Sequence, residues 1–140
     1  MRKGFISIFL VVLLLLTPAW AATDIQFTLV RNYLIVVSVT INGTGPYEFL
    51  LDTGTNTTLL HTEFAAQLGL RPMDRVELIT VAGSQAVPRA KLPSLRLGDK
   101  VENDLEVLFS DLRGVRSVLP KVRGVLGQNF LAEFNYLVDY

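Results

Sequence analysis

Hydrophobic positions change their period several times along this chain, and the changes mark its elements. Residues 5–16 form an almost unbroken apolar run, interrupted only by Ser7. Beyond it the pattern becomes alternation: Ile25, Phe27 and Leu29 interleave with Asp24, Gln26 and Thr28, the period of two that a half-buried strand shows. Arg31-Asn32 then reads as a turn, and residues 33–41, rich in Val, Ile and Thr, as a second strand. Asn42-Gly43-Thr44-Gly45 is a hairpin signal, because Asn-Gly readily takes positive φ. Residues 47–51 return as a third strand that ends at Asp52, and 57–60 form a short fourth. Phe64, Ala65, Leu68 and Gly69 switch to helical spacing, with Thr62 as a start signal and Gly69 or Pro72 as a stop. Strands are expected over 75–81, 88–97 and 101–109, a loop over 111–121 and a strand over 122–126. A short helix over 128–134 and the start of a last strand at 136–139 complete the pattern. Many short strands with one or two short helices predict a mostly β domain, closed or nearly closed.

The first apolar run belongs to a different kind of segment. Arg2 and Lys3 precede it, Thr17-Pro18 ends it, and Ala19-Trp20-Ala21 places small residues where a signal peptidase reads. Residues 1–21 are therefore expected to be a secretory signal peptide, and residues 22–140 the mature domain, exported to a periplasmic or extracellular compartment. The other reading, an uncleaved anchor, suits the run less well, since a spanning helix needs ~20 apolar residues. No stable membrane anchor is expected after cleavage. Arg2 and Lys3 would leave with the leader, so 11 of the 13 basic residues and all 13 acidic ones remain. Such a balance offers no electrostatic footprint for nucleic acid. The chain has no cysteine, which excludes disulfides and lipid attachment at the leader.

The densest chemistry lies at Phe49-Leu50-Leu51-Asp52-Thr53-Gly54-Thr55. An apolar strand delivers one carboxylate to a tight turn, where backbone rather than a loose loop holds it. Gly54 permits the turn and can bring its N–H toward the carboxylate, while Thr55 can donate a hydroxyl to the outer oxygen. Taken alone, an Asp at this position also starts ordinary turns. Seventy-two residues later comes Gly124-Val125-Leu126-Gly127, a second apolar segment ending in glycine, followed by Gln128-Asn129-Phe130-Leu131. Together the Asp52-Thr53-Gly54 loop, the strand-like Thr57-Thr58-Leu59-Leu60 and the Val125-Leu126-Gly127 segment resemble the retropepsin-like aspartic proteases. The resemblance covers residues 25–139.

It implies a single-lobed acid-protease half-barrel with Asp52 as the catalytic acid and Thr53, Gly54 and Thr55 as its loop. Val125, Leu126 and Gly127 would form the second loop of the site. The Thr53 hydroxyl would bond across to a partner loop. Val81, Ala82, Gly83 and Ser84 stand where the family has a flap, a mobile hairpin that closes over substrate, with Gly83 as its tip; an ordinary hairpin turn fits the same residues. Peptide hydrolysis by carboxylates needs two acids, and this chain has one Asp-Thr-Gly loop. The resemblance therefore implies an aspartic endopeptidase acting on a peptide or protein, as a homodimer or with a second lobe. No metal or organic cofactor is implied.

Other candidate chemistry is thin. His61 is the only histidine, and with no cysteine beside it a zinc site is not expected; a surface place beside the helix start is. No Gly-x-Ser-x-Gly segment supplies a nucleophile, and no Gly-Lys-Ser/Thr follows Asn42-Gly43-Thr44-Gly45 to make a phosphate loop. Arg113, Arg116, Lys121 and Arg123 make a locally basic segment, read as a solvated face or as a contact for an acidic substrate or membrane. Asp74, Asp99, Asp104, Asp111 and Asp139 lack a Thr-Gly partner, so none replaces the second acid. The family commonly continues past the equivalent of residues 136–139 into one more strand. This chain is thus expected to be a fragment of a longer protein, or to dispense with that ending. The rival to the enzyme is a non-catalytic peptide-binding or scaffold module on the same fold.

Overall fold

A computed structural model describes residues 23–139; the expected leader lies outside the described residues. Eight strands and three short helices follow one another in the order β1 (Phe27–Val30), β2 (Leu34–Ile41), β3 (Thr44–Leu51), β4 (Thr58–His61), α1 (Thr62–Gln67), β5 (Asp74–Thr80), β6 (Gly83–Leu97), β7 (Lys100–Ser110), α2 (Arg113–Arg116), β8 (Gly124–Leu126) and α3 (Gln128–Leu131). All eight strands join one sheet in the order β1-β2-β3-β8-β4-β7-β6-β5. A further pairing of Thr40 and Ile41 in β2 with Arg96 and Leu95 in β6 bends that sheet round on itself. Six strands, β2-β3-β8-β4-β7-β6, thereby form a closed ring, and β1 and β5 remain as its outer strands. Closure removes the unpaired edges that an open sheet exposes.

Local sequence explains the hairpins. Asn42 and Gly43 both adopt positive φ, 50° and 75°, the geometry of a two-residue turn whose twist matches that of the strands. The Asn42 side chain does more than turn the chain: its Oδ1 accepts the Ser94 N–H at 3.1 Å and pins the hairpin to β6. Helix α1 ends as Gly69 suggested. Gly69 takes φ +70°, its N–H donates to Ala66 O, and Leu70 N–H donates to Ala65 O, the paired bonds of a Schellman cap.

Alternation along β2 sorts its side chains into two cores. Ile35, Val37, Val39 and Ile41 face the barrel interior with Phe49, Leu60, Leu92, Leu126 and Phe130. Val36 faces the other way and meets Leu50, Leu112, Leu119, Val122 and Val125. The second cluster corrects the expectation of a plain loop over 111–121. Leu112, Val115, Leu119 and Val122 recur at intervals of three and four, a helical spacing, and α2 with its flanks covers the outer face of β2, β3 and β8.

Two other expectations change. Residues 136–139 form no strand, although Val138 packs against the main core. Alternation there marks which side meets a surface, but a strand also needs a neighbour's backbone to pair with, and none of the eight strands lies along this segment. His61 is not a surface residue: it is 7% exposed and holds the N-cap position of α1. Arg116 Nη1 approaches its ring, 2.5 Å from Nε2, and donates to the neutral imidazole; Arg116 Nη2 reaches Pro120 O at 3.3 Å.

Burial, then the Arg116 charge, lowers the His61 pKa from 6.5, with Arg123 acting the same way and Glu63 and Asp111 opposing. The unfolded chain therefore binds this proton first. The contribution of the neutral ring to stability is whole above pH 6.5 and is lost as pH falls through the lower folded value. Urea unfolding measured from pH 8 to about pH 4 should show a midpoint that declines below pH 6.5. His61→Gln, which can still accept from Arg116 but does not titrate, should remove that part of the decline; an identical pH profile in the variant would refute the assignment.

Candidate active site

Asp52 follows directly on the buried end of β3. Phe49, Leu50 and Leu51 pair in parallel with Gly124, Val125 and Leu126 of β8, and the Asp52 N–H continues the ladder to Leu126 O at 3.1 Å. Such close pairing requires Gly124, because a Cβ there would lie 2.5 Å from Leu59 O and collide with the Phe49 ring. The carboxylate receives one donor per oxygen. Gly54 N–H donates to Oδ1 at 2.8 Å and Thr55 Oγ1 donates to Oδ2 at 2.9 Å, so the plane of the carboxyl group is set from both sides. Gly54 also leaves the carboxylate room: a Cβ at this position would stand in tight contact with Oδ1, at 3.2 Å.

The loop is stitched to the start of α3 along its whole length. Gln128 N–H donates to Thr55 O at 2.7 Å and Asn129 N–H to Asn56 O at 2.9 Å. Gln128 Nε2 donates to Thr53 O at 2.8 Å. Asn129 Oδ1 accepts both Thr58 N–H, at 2.8 Å, and Thr58 Oγ1, at 2.9 Å, while its Nδ2 donates to Glu106 O at 2.7 Å. Gly127 N–H donates to Thr58 Oγ1 at 3.2 Å. Gly127 itself has no room for a side chain, since a Cβ would meet Thr57 C at 2.7 Å and Thr55 O at 2.9 Å. Val125, Leu126 and Gly127 are buried and act as the floor on which the Asp52 loop rests.

Sequence reading named Asp52, Thr53, Gly54, Thr55, Val125, Leu126 and Gly127, and the fold brings these seven together. It missed the side chains that join them, Thr58, Gln128 and Asn129. The available signal was Thr58, a polar residue in an apolar strand, fully buried and satisfied by Asn129. Val81, Ala82, Gly83 and Ser84 lie in the β5–β6 hairpin, whose ladder runs from Asp74↔Arg89 to Thr80↔Gly83. The tip is the two-residue turn Val81-Ala82, not Gly83. Gly83, at φ +127°, is the first paired residue after the tip, and its freedom lets the strand resume after so short a turn. Ile79 and Val81 at the tip are 77% and 111% exposed, an apolar surface presented outward. At the base, Arg89 bonds to Asp74 at 2.8 Å through Nε and to Glu106 at 3.3 Å through Nη1. Its hydrogen bond and charge hold the Asp74 carboxyl below the usual range.

Asp52 opens onto a depression of about 350 Å³ lined by Tyr33, Leu34, Ile35, Leu50, Leu51, Asp52, Thr53 and Val138. Asp52 is the only acid in that lining, and none of the four hairpin residues reaches it. Tyr33 of this lining is 66% exposed, and Tyr136 and Leu137, next to Val138 in the chain, are 47% and 93% exposed. Among the described residues no group of His, Cys, Asp or Glu is arranged to hold a metal ion, and no helix is long and apolar enough to cross a membrane.

A closed β barrel that rests an Asp-Thr-Gly loop on an apolar-apolar-Gly strand end defines the retropepsin-like aspartic protease class. The chain belongs to the aspartyl protease family, whose model matches residues 37–130. Its fold is similar to that of a retropepsin-like aspartic protease from Rickettsia conorii, at 19% identity and a TM-score of 0.59, over 84% of this chain and 88% of that one. It is likewise similar to EIAV protease complexed with the inhibitor HBY-793, at 20% identity and a TM-score of 0.60, over 79% of this chain and 99% of that one. A sequence comparison with curated proteins finds no match.

The stitching predicts a specific weakness. Asn129→Ala removes the acceptor for the Thr58 N–H and hydroxyl and leaves buried donors unsatisfied, at a cost of about 1–3 kcal/mol per group. Denaturant unfolding of this variant should show a loss of at least that size, since two donors lose their acceptor and Glu106 O loses its donor. Equal stability of Asn129→Ala and the native chain would contradict the role given to Asn129.

Proposed function

We propose that the chain is an aspartic endopeptidase that cleaves peptide bonds when Asp52 meets a second Asp carboxylate, from a paired copy of the chain or from a second lobe. The observation that carries this reading is an Asp-Thr-Gly carboxylate with both oxygens fixed, open to a depression that contains no second acid. One carboxylate would take a proton from the attacking water while the other donates to the scissile carbonyl oxygen. Two such groups about 3 Å apart share a proton, as in the known aspartic-protease dyads, and titrate as a unit. The exposed apolar residues Tyr33 and Leu137 suit a face that a second copy covers. The β5–β6 hairpin, with Ile79 and Val81 presented outward, suits a flap over bound peptide. Export of the mature domain is part of the proposal and rests on residues 1–21.

Asp52→Asn preserves the shape of the loop and removes the acid–base function, so peptide cleavage should fall by about 10³-fold or more. Cleavage by the variant at the native rate would exclude this mechanism. Binding of a peptide by both forms with cleavage by neither would favour the non-catalytic peptide-binding module.

Specific activity should rise with protein concentration over the range in which sedimentation shows monomers becoming dimers. A monomer with full activity would exclude pairing of two chains.

A further inference from the structure

We propose that Gln128 is a positioning residue for the Asp52 carboxylate, acting through the peptide group between Thr53 and Gly54; the proposal rests on Asp52 being the catalytic acid. Gln128 Nε2 donates to Thr53 O at 2.8 Å. Gly54 N–H donates to Asp52 Oδ1 at 2.8 Å. Thr53 O and the Gly54 N–H are the two ends of one planar peptide unit. Whatever fixes the carbonyl therefore fixes the direction of the N–H, and a donor on the carbonyl polarises the group and strengthens the N–H as a donor.

This peptide needs a holder from outside its own loop. Thr53 and Gly54 are both exposed in the single chain, and Gly54 has no Cβ, so little within the loop resists rotation of the unit about the Gly54 N–Cα bond. Gln128 is suited to hold it because its own backbone is held. Its N–H bonds to Thr55 O at 2.7 Å, and its neighbours Gly127 and Asn129 are tied to Thr58 on the same loop. The side chain thus spans from a fixed helix start to the one peptide that touches the inner carboxylate oxygen. Asp52 is held independently on its outer oxygen by Thr55, so loss of Gln128 should release one side of the carboxylate and leave the fold intact.

Three variants of the full mature chain separate the possibilities. Gln128→Met and Gln128→Glu have nearly the native length but offer no donor at neutral pH, whereas Gln128→Arg restores one. In ¹⁵N-labelled protein, the Gly54 amide should exchange with solvent about tenfold faster in Met and Glu variants and return toward the native rate in the Arg variant. Its proton resonance should move in the same order. In peptide cleavage, kcat should fall roughly tenfold in the Met and Glu variants with KM little changed, since misaimed reacting groups cost rate rather than ground-state binding, and Arg should recover part of the loss. Matched melting temperatures would show that the fold is kept. An unchanged Gly54 amide in both donor-less variants would overturn the proposal, as would an unchanged kcat in an otherwise active enzyme. If the Gly54 amide loosens as expected but the native chain cleaves no peptide, the positioning contact stands and the proteolytic reading falls.

Discussion

Everything in this site depends on the closure of two segments far apart in sequence. Residues 52–58 and 126–129 are joined by backbone and side-chain hydrogen bonds that span 69 to 75 positions of chain. Each segment alone would be a short turn with unsatisfied backbone groups. Together they satisfy one another: Leu126 O, Thr53 O, Thr55 O and Asn56 O each receive a donor across the junction. The contact is possible because Gly124 and Gly127 carry no side chain where Phe49, Leu59 and the loop backbone approach. A junction cross-bonded in this way is stiff, and stiffness is what a carboxylate needs if its oxygens are to be aimed before substrate arrives.

The ring of strands supplies the frame for that junction. β3 and β8 run parallel, and β4 runs antiparallel to β8, so Asp52, Gly127 and Thr58 gather at one end of the strands. His61 and Arg123 fall at the other end, where His61 N–H donates to Arg123 O at 2.8 Å. The two poles are built differently. At the Asp52 pole Asp52 and Thr53 open onto a depression. At the His61 pole α2 and its flanks lay Leu112, Leu119 and Val122 over the sheet, and the His61 ring is enclosed. Long β6 serves two bodies: its first half builds the exposed hairpin with β5 and its second half closes the ring with β7 and β2. Arg89 sits where one role passes to the other, bonded to Asp74 on β5 and Glu106 on β7.

The amino-acid sequence by itself determined the class of fold, the turns and the candidate acid. Period-two patterning, Asn42-Gly43 and the helix stop at Gly69 depend on a few adjacent residues, and adjacent residues are what a sequence displays. Asp52-Thr53-Gly54 at the end of an apolar strand is equally local. Only the tertiary structure decided which residues hold that acid. Gln128, Asn129 and Thr58 have no shared pattern, because their partnership arises from strand pairing across some 70 positions. It also decided that His61 is enclosed, that 111–121 carries a short helix against an outer face, and that 136–139 forms no strand. In each case local periodicity states only that one side of a segment is apolar. Which surface covers that side, and whether a neighbouring strand lies alongside to pair, is settled when the sheet closes.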